Sequence, residues 1–202
     1  MSLTAFGLNC TLKRGTEPSS TQKLLDQVLQ ALGEYGVGAS SERVANCDIK
    51  PGVRTDEGEG DDWPRLRRRI QEANILVLAT PIWLGQPSSV CKRVLERLDA
   101  VFGEIDEHGV FPTFGRVAVV AVVGNEDGAH HVTAELYQAL ADVGFTVPAA
   151  GASYWVGEAM QKTNYIDLEE TPKALAGAIR TQACNAAHLA ALLQAKPYPA
   201  TR

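Results

Sequence analysis

The sequence has few cysteines, and no two of them stand at a spacing typical of metal binding or thiol redox chemistry. The four cysteines among its 202 residues are Cys10, Cys47, Cys91 and Cys184, and none belongs to a C-x-x-C motif. We therefore expect no zinc site, no other metal site and no dithiol redox motif. A disulfide framework is also not expected in a chain of this size in a reducing compartment. The four thiols are predicted to be reduced.

Long apolar runs and an excess of positive charge are also missing. No apolar run approaches the roughly 18 residues of a membrane-spanning helix. Residues 1–9 lack the basic region, apolar stretch and cleavage site of an export signal. The formal net charge of -5 argues against nucleic acid as the main partner, because binding to phosphates requires a basic face. The sequence predicts a cytoplasmic protein with neither a membrane span nor a nucleic-acid partner.

Strand and helix patterns alternate along the chain, and the central strands are apolar throughout. The predicted strands cover residues 3–8, 37–45, 75–79, 117–123 and 145–150. The predicted helices cover residues 22–32, 64–73, 87–102, 132–143 and 175–193. This order predicts an α/β fold in three layers, with a doubly wound, five-stranded parallel sheet in the order 2-1-3-4-5. The second strand is polar and is expected at an exposed edge, and one domain is predicted over residues 1–202.

Local motifs predict where the helices begin and end. Ser19, followed three positions later by Gln22, fits a capping box ahead of the first helix. Pro87 is expected at the first position of the third helix, where its missing N–H has no partner to lose. Gly144 is expected to end the fourth helix, and residues 46–62 are expected to form a surface loop.

Ligands of an open parallel sheet bind beyond the carboxyl ends of its strands, near the switch in strand order. In this chain, that edge is predicted to carry three loops, at residues 9–22, 80–87 and 124–131. The chain contains neither a G-x-G-x-x-G motif nor a G-K-[ST] motif. The usual dinucleotide and Walker-type modes of binding are therefore excluded.

The first loop is rich in hydroxyl and amide side chains just ahead of a predicted helix. Unpaired N–H groups and the helix dipole favour an anion at such a place, and Lys13 or Arg14 would add positive charge. The candidate donors are Asn9, Thr11, Ser19, Ser20 and Thr21. The alternative is that Ser19 or Ser20 only caps the helix.

The second loop reads T-P-I-W-L-G-Q-P at residues 80–87 and places an aromatic ring and a glycine between a buried strand and a helix. A flat ring system needs an apolar wall, together with backbone amides for its polar edge. A loop with proline for rigidity and glycine for close approach offers both. The alternative is a connecting loop in which Trp83 packs on the neighbouring surface.

The third loop contains two glycines and two histidines. Gly124 and Gly128 permit a tight backbone, and His130 or His131 could donate to a ligand carbonyl. The alternative is that both histidines are structural or solvated. Metal binding would need further ligands that the sequence does not place.

At these loops the sequence resembles the NAD(P)H-dependent FMN reductases of the flavodoxin-like superfamily. The segment A-T-P-I-W-L-G-Q-P-S-S-V-C-K at 79–92 is similar to the family's strand–T-P-[IV]-[YW]-x-G–helix segment. D-D-W-P at 61–64 and Y-W-V-G-E-A-M at 154–160 also resemble family segments. The family's G-S-x-R pattern after the first strand is replaced here by L-N-C-T at 8–11. The resemblance implies a flavodoxin-like fold over nearly the whole chain.

The resemblance also implies a binding site for FMN. Its phosphate would be held by Ser19, Ser20, Thr21 and Gln22, with Asn9 and Thr11 in the same loop. Its isoalloxazine ring would lie against Pro81, Ile82, Trp83, Leu84, Gly85 and Gln86. The pyrimidine side of the ring would lie near Gly124, Asn125 and Gly128.

The activity that the resemblance implies is transfer of a hydride from NAD(P)H through FMN to a quinone, a flavin or another electrophilic acceptor. Because FMN would carry the chemistry, no catalytic side chain is expected. Trp83 and Trp155 would shape the stacking surface, and a homodimer or homotetramer is expected. Two alternatives stay open: an electron-carrying flavodoxin that does not oxidise NAD(P)H, and an interaction or sensor domain of the same fold without flavin.

Overall fold

The computed structural model describes residues 2–199, which contain six strands. The strands are β1 (Thr4–Asn9), β2 (Gly38–Arg43), β3 (Ile75–Trp83), β4 (Gln86–Pro87), β5 (Val117–Val123) and β6 (Ala152–Trp155). Five of them form a parallel path in the order β2-β1-β3-β5-β6, and β4 pairs with β3 in the antiparallel direction. The predicted doubly wound α/β fold is confirmed, because these five strands have the order 2-1-3-4-5 when counted along the chain. The ends of the predicted domain, residues 1 and 200–202, lie outside the described residues.

Five α-helices cover both faces of this sheet. They are α1 (Ser20–Gly33), α2 (Trp63–Glu72), α3 (Ser89–Leu98), α4 (Ala129–Asp142) and α5 (Lys173–Ala195). Apolar side chains of α2, α3 and α4 pack in one core cluster, and those of α1 and α5 pack in a second cluster on the opposite face. The three layers that the sequence predicts are therefore present. Among the described residues, no helix is both long enough and apolar enough to span a membrane.

The central strands explain why both faces are covered. In β3, Leu76 and Leu78 belong to one core cluster, whereas Ile75, Val77 and Ala79 belong to the other. Successive side chains of a strand point to opposite faces, so an uninterrupted apolar run buries both of them. In contrast, β2 lies at the end of the strand order and is mostly exposed, which confirms the predicted edge strand.

Strand β3 is longer than predicted, because it continues into the predicted loop as far as Trp83, and the chain then turns back as β4 to pair with it. Trp83 pairs with Gln86, so that Leu84 and Gly85 form a two-residue turn with φ of 52° and 74°. Positive φ at both central residues is typical of hairpin turns that match the twist of the strands. The predicted helical position of Pro87 is wrong, because Pro87 lies in β4.

Helix α3 instead begins after Ser88. The Ser88 side chain accepts a hydrogen bond from the backbone N–H of Cys91 at 3.1 Å and thereby caps the helix. The same hydroxyl donates to the carbonyl of Cys10 at 2.6 Å. Ser88 therefore joins the start of α3 to the end of β1, where the first loop begins.

The predicted fifth strand at 145–150 is wrong, because this segment makes only an isolated bridge between Val117 and Thr146. Pro148 has no N–H to donate to a neighbouring strand. A turn follows in which the N–H of Gly151 donates to the Pro148 carbonyl at 3.1 Å and Ala150 has a φ of 54°. Pairing resumes only after this turn, where β6 extends the sheet beside β5.

The loop between β2 and α2 is fastened to α3 by a buried ion pair. Arg97 donates to Asp61 at 2.8 Å, and both side chains are fully buried. The same guanidinium donates to the carbonyls of Lys50 and Arg54, and Asp61 also accepts from the backbone N–H groups of Lys50, Glu57 and Trp63. Burial alone would raise the pKa of Asp61, but the bonds from Arg97 and these N–H groups outweigh it and lower the pKa from 3.8 to about 2.

Candidate functional site

A cavity of about 200 Å³ lies beyond the carboxyl ends of β1, β3 and β5, next to the N-terminus of α1. This edge is where an open parallel sheet binds its ligands. The cavity has one half with hydroxyl groups and one half that is aromatic and apolar. Its lining residues are Thr11, Leu12, Lys13, Ser19, Ser20, Thr21, Pro81, Ile82, Trp83, Val123, Gly124, Asn125, Trp155, Asn164, Tyr165 and Ile166.

The hydroxyl half is formed by the first loop and the start of α1. Ser19 caps the helix, since its side chain accepts from the N–H of Gln22 at 3.4 Å. The Ser20 hydroxyl accepts from the N–H of Ile166 at 3.1 Å. Thr21 lines the cavity with no hydrogen-bond partner for its hydroxyl within the described part of the chain. The first N–H groups of α1 also have no acceptor within the helix, so this half of the cavity can bind an anion.

Positive charge at this half comes from Lys13. Its ammonium group donates to the carbonyl of Pro18 at 2.8 Å and lies 3.2 Å from the carboxylate of Glu17. Both side chains of this ion pair are about half exposed, so water screens their interaction. Arg14, the other predicted cation of the first loop, does not line this cavity.

The aromatic half is formed by Trp83, Trp155 and Tyr165. Trp83 is 55% exposed and offers its ring to the cavity, whereas Tyr165 is fully buried. The centroids of the Trp155 and Tyr165 rings lie 5.3 Å apart. The hydroxyl of Tyr165 donates to the side chain of Gln27, and the ammonium group of Lys23 lies 5.1 Å from the centroid of the Tyr165 ring.

The second and third loops touch each other at glycines. A Cβ atom on Gly128 would lie 2.7 Å from the Cα of Gly85, and Gly128 has a φ of 126°. A Cβ atom on Gly124 would lie 2.9 Å from the Cβ of Ile82. Real Cβ atoms do not approach so closely, so both positions require glycine for backbone packing. The N–H of Leu84 also donates to the carboxylate of Glu126 at 3.1 Å, which joins the same two loops.

Nine of the fifteen predicted binding residues line the cavity: Thr11, Ser19, Ser20, Thr21, Pro81, Ile82, Trp83, Gly124 and Asn125. The structure thus brings residues from all three predicted loops together at one place. That any of them contacts FMN stays a prediction.

The other six predicted residues lie beside the cavity. The side chain of Asn9 donates to the side chain of Gln22 at 2.6 Å and accepts from the N–H of Thr11 at 3.0 Å. Asn9 therefore orders the first loop without lining the cavity. In the β3–β4 turn, Leu84 is 91% exposed. The remaining three are Gly85, Gln86 and Gly128, which lie where the second loop contacts the start of α4.

The two histidines make structural contacts at the start of α4. His130 Nε2 lies 3.0 Å from the hydroxyl of Tyr154, and their rings meet edge to face. His131 Nε2 lies 3.1 Å from the side-chain nitrogen of Gln86. Neither histidine lines the cavity. Over residues 2–199, no group of three or more His, Cys, Asp or Glu side chains could hold a metal ion.

Five lining residues were not predicted from the sequence: Leu12 and Val123, which adjoin predicted segments, and the separate run of Asn164, Tyr165 and Ile166. The residues of that run are far from the predicted loops in the chain. They form a short turn in which the side chains of Asn164 and Asp167 cap each other's backbone. The N-x-x-D spacing at 164–167 is typical of such a turn and could have predicted it. Nothing in the sequence indicated that this turn would reach a cavity formed by residues 11–21.

The two halves of the cavity suit one kind of ligand. An aromatic and apolar wall fits a flat ring system, and a helix N-terminus with hydroxyl groups fits a phosphate. A flavin phosphate combines both parts in one molecule. The residues present therefore fit FMN.

The comparisons with known proteins agree with this chemistry. Residues 4–161 match the family model of the NADPH-dependent FMN reductases. A crystal structure of RosB with its bound intermediate 8-demethyl-8-formylriboflavin-5'-phosphate superimposes on the chain with a TM-score of 0.89 and 35% identity. That superposition covers 98% of this chain and 82% of the RosB chain.

Two curated proteins are similar in sequence. The 8-demethyl-8-aminoriboflavin-5'-phosphate synthase of Streptomyces davaonensis is 36% identical over 212 residues, which cover 98% of this chain and 81% of the synthase. The divalent metal cation transporter MntH of Mycobacterium bovis is 40% identical over 169 residues, which cover 82% of this chain. The chain spans only 25% of the length of that transporter.

Proposed function

The chain belongs to the NADPH-dependent FMN reductase family of flavin-dependent oxidoreductases, and we propose that it binds FMN in the cavity beyond β1, β3 and β5. When bound, FMN would supply hydride transfer from NADH or NADPH to a quinone, a flavin or another small electrophile. The observation that carries the proposal is that one cavity joins an aromatic wall to a hydroxyl-bearing helix N-terminus.

Each half of the cavity has its own part in this proposal. The hydroxyl of Thr21 and the free N–H groups at the start of α1 would hold the phosphate, with Lys13 supplying charge. Trp83 and Trp155 would form the wall for the ring. Because Trp83 is 55% exposed, its side of the cavity stays accessible to a second reactant.

We propose that no side chain of the lining acts in acid–base catalysis. Of the described residues around the cavity, only Lys13 and Tyr165 are titratable. Lys13 is engaged with Glu17 and Pro18, and the buried hydroxyl of Tyr165 donates to Gln27. A cavity with this lining suits a reaction whose chemistry belongs to a cofactor, since the protein then supplies only binding and orientation.

The test is a visible spectrum of the purified protein after FMN is added and the excess removed. We expect a retained flavin spectrum that bleaches when NADPH or NADH is added without oxygen. A flavin that stays bound but resists both donors would identify an electron carrier instead. A preparation that retains no flavin would refute the FMN proposal itself.

A single substitution tests the phosphate half. Thr21→Val removes one hydroxyl and keeps the volume of the side chain, so we expect FMN affinity to fall about tenfold, the usual effect of losing a hydrogen bond to a charged group. Thr133→Val is the matched control, because the Thr133 hydroxyl is buried in α4 without a partner in the described structure. Both variants are measured by quenching of FMN fluorescence. Equal affinities for the two variants would contradict the assignment.

A second candidate function follows from the 36% identity to the 8-demethyl-8-aminoriboflavin-5'-phosphate synthase. In this alternative, the flavin phosphate is a substrate that the protein changes, and the same cavity holds it. The mass of the flavin recovered after turnover separates the two candidates. Unchanged FMN after many turnovers supports the reductase, whereas conversion to a flavin of different mass supports the synthase.

We also propose a cytoplasmic homodimer or homotetramer, as the family resemblance implies. The exposed apolar side chains of Leu84 and Met160 are consistent with a surface that a second copy could cover. Light scattering after size-exclusion chromatography measures the mass in solution. A monomer at micromolar concentration would contradict this part of the proposal.

A further inference from the structure

A second cavity, of about 300 Å³, lies on the other side of Leu12 from the cavity described above. The side chain of Leu12 is about half exposed and lines both cavities, so the two adjoin there. The lining residues of the second cavity are Leu12, Arg14, Val44, Ala45, Cys47, Ile49, Ser89, Val90 and Arg93.

The walls of the second cavity are held by specific hydrogen bonds. The N–H of Gly15, next to Arg14 in the chain, donates to the side chain of Asn46 at 2.7 Å, and Asn46 donates back to the Gly15 carbonyl at 3.3 Å. Within the lining itself, Arg93 donates to the carbonyl of Ile49 at 3.0 Å. The second cavity is thus lined by two arginines from different elements, Arg14 in the first loop and Arg93 in α3, and the guanidinium of Arg93 is held by the Ile49 carbonyl.

The charge of the second cavity is positive although the chain as a whole is acidic. Of the described residues that line it, two are arginines and none is Asp or Glu. The guanidinium of Arg93 forms an ion pair with the carboxylate of Glu96 at 3.3 Å. In contrast, the guanidinium of Arg14 has no acceptor among the described residues. Guanidinium groups bind carboxylates and phosphates through paired hydrogen bonds, so the cleft suits an oxyanion.

The other lining groups restrict the body of such a ligand. Val44 and Ile49 are buried and give the cleft an apolar floor, which suits a short hydrocarbon or aromatic body. Burial and a hydrogen bond to Glu42 raise the pKa of Cys47 to about 12, so its thiol adds no negative charge. The carboxylate of Glu42 is itself paired with Arg65 at 2.6 Å.

We propose that this second cavity binds the oxyanion of a small organic molecule with a compact apolar body, held between Arg14 and Arg93. The molecule would be a second reactant beside the flavin, and that role rests on the proposed function. The binding itself depends only on residues of the second cavity. A carboxylic acid and a phosphate ester share the required chemistry, and the experiment distinguishes them.

The experiment measures the binding of benzoate, phenyl phosphate and benzamide by titration calorimetry, with the protein both loaded with FMN and free of it. Benzamide has nearly the shape of benzoate but no charge. We expect at least one of the two anions to bind about tenfold more tightly than benzamide, since a charge-assisted hydrogen bond is worth that much. The tighter anion identifies the carboxylate or the phosphate ester as the preferred group.

Arg14→Gln is the decisive variant, because its guanidinium has no partner among the described residues whose loss could disturb the fold. We expect it to weaken the preferred anion about tenfold and to leave benzamide unchanged. Arg68→Gln is the control, since Arg68 is exposed on α2 and does not line either cavity. Anions that bind no better than benzamide, or an Arg14→Gln protein with unchanged affinity, would overturn the proposal. Failure to retain FMN would instead count against the proposed function, because the titration without FMN still reports on the second cavity.

Discussion

Replacing Arg97 by methionine removes the guanidinium that neutralises the buried carboxylate of Asp61. All four hydrogen-bond donors together lower the pKa of Asp61 from 3.8 to about 2, which corresponds to about 2 kcal/mol of stability near neutral pH. Removing one partner of a buried pair typically costs about 3–5 kcal/mol, because the other charge is left uncompensated. Asp61 keeps its three backbone donors, so we expect a loss near the lower bound, about 3 kcal/mol.

Urea unfolding followed by tryptophan fluorescence and circular dichroism measures this loss. With a slope of about 2 kcal/mol per molar, the midpoint is expected to fall by about 1.5 M. Arg68→Met serves as the control because it removes an exposed guanidinium from α2. A cycle with Asp61→Asn isolates the coupling between the two side chains. A loss below about 1 kcal/mol for Arg97→Met would refute the reasoning.

The same pair predicts how stability depends on pH. The pKa of Asp61 is lower in the folded protein than in the unfolded chain, so the unfolded chain takes up a proton more readily. The stabilisation is therefore complete above about pH 4 and is lost as the pH falls towards about 2. Asp61→Asn is expected to remove this part of the acid sensitivity, and an unchanged acid limb would show that other carboxylates dominate it.

Two further predictions concern backbone contacts near the site. Gly128→Ala is expected to lower the free energy of unfolding by about 2 kcal/mol. A Cβ at this position would meet the Cα of Gly85, and the backbone there has a positive φ. Gly33→Ala is the control because the space around Gly33 is open, and equal unfolding midpoints for the two variants would contradict the prediction. Ser88→Ala is expected to lower the free energy of unfolding by about 1–2 kcal/mol, because it removes the cap of α3 and the hydrogen bond to the Cys10 carbonyl. Ser89→Ala is the neighbouring control, and thermal unfolding measures the stability of both variants.

The fold was predictable where one pattern decided the structure. The apolar runs at 75–79 and 117–123 predicted strands buried on both faces, and they form the centre of the sheet. At 145–150 the apolar residues predicted a strand, but Pro148 and the turn that follows it interrupt the pairing. The turn at Leu84 and Gly85 was missed because a leucine with positive φ is uncommon, and nothing in the sequence announced it.

The candidate site was predictable in part for a similar reason. The three predicted loops follow β1, β3 and β5, and the carboxyl ends of these neighbouring strands meet at one edge of the sheet. The order of strands and helices in the sequence was therefore enough to place Thr21, Trp83 and Asn125 in one cavity. Tyr165 could not be placed there, because its position depends on side-chain bonds to α1, more than 130 residues earlier in the chain. Arg14 was expected at the phosphate half but lines the second cavity, since Gly15 is bonded to Asn46.

Helix α1 has an effect on binding that extends beyond its N-terminus. Its first two turns hold the 165–168 segment through Ser20, Lys23 and Gln27. The helix that offers its N–H groups to an anion therefore also fixes the aromatic wall opposite. A ligand that spans both halves meets a preorganised surface, and little conformational entropy is lost in bringing the two halves together when it binds.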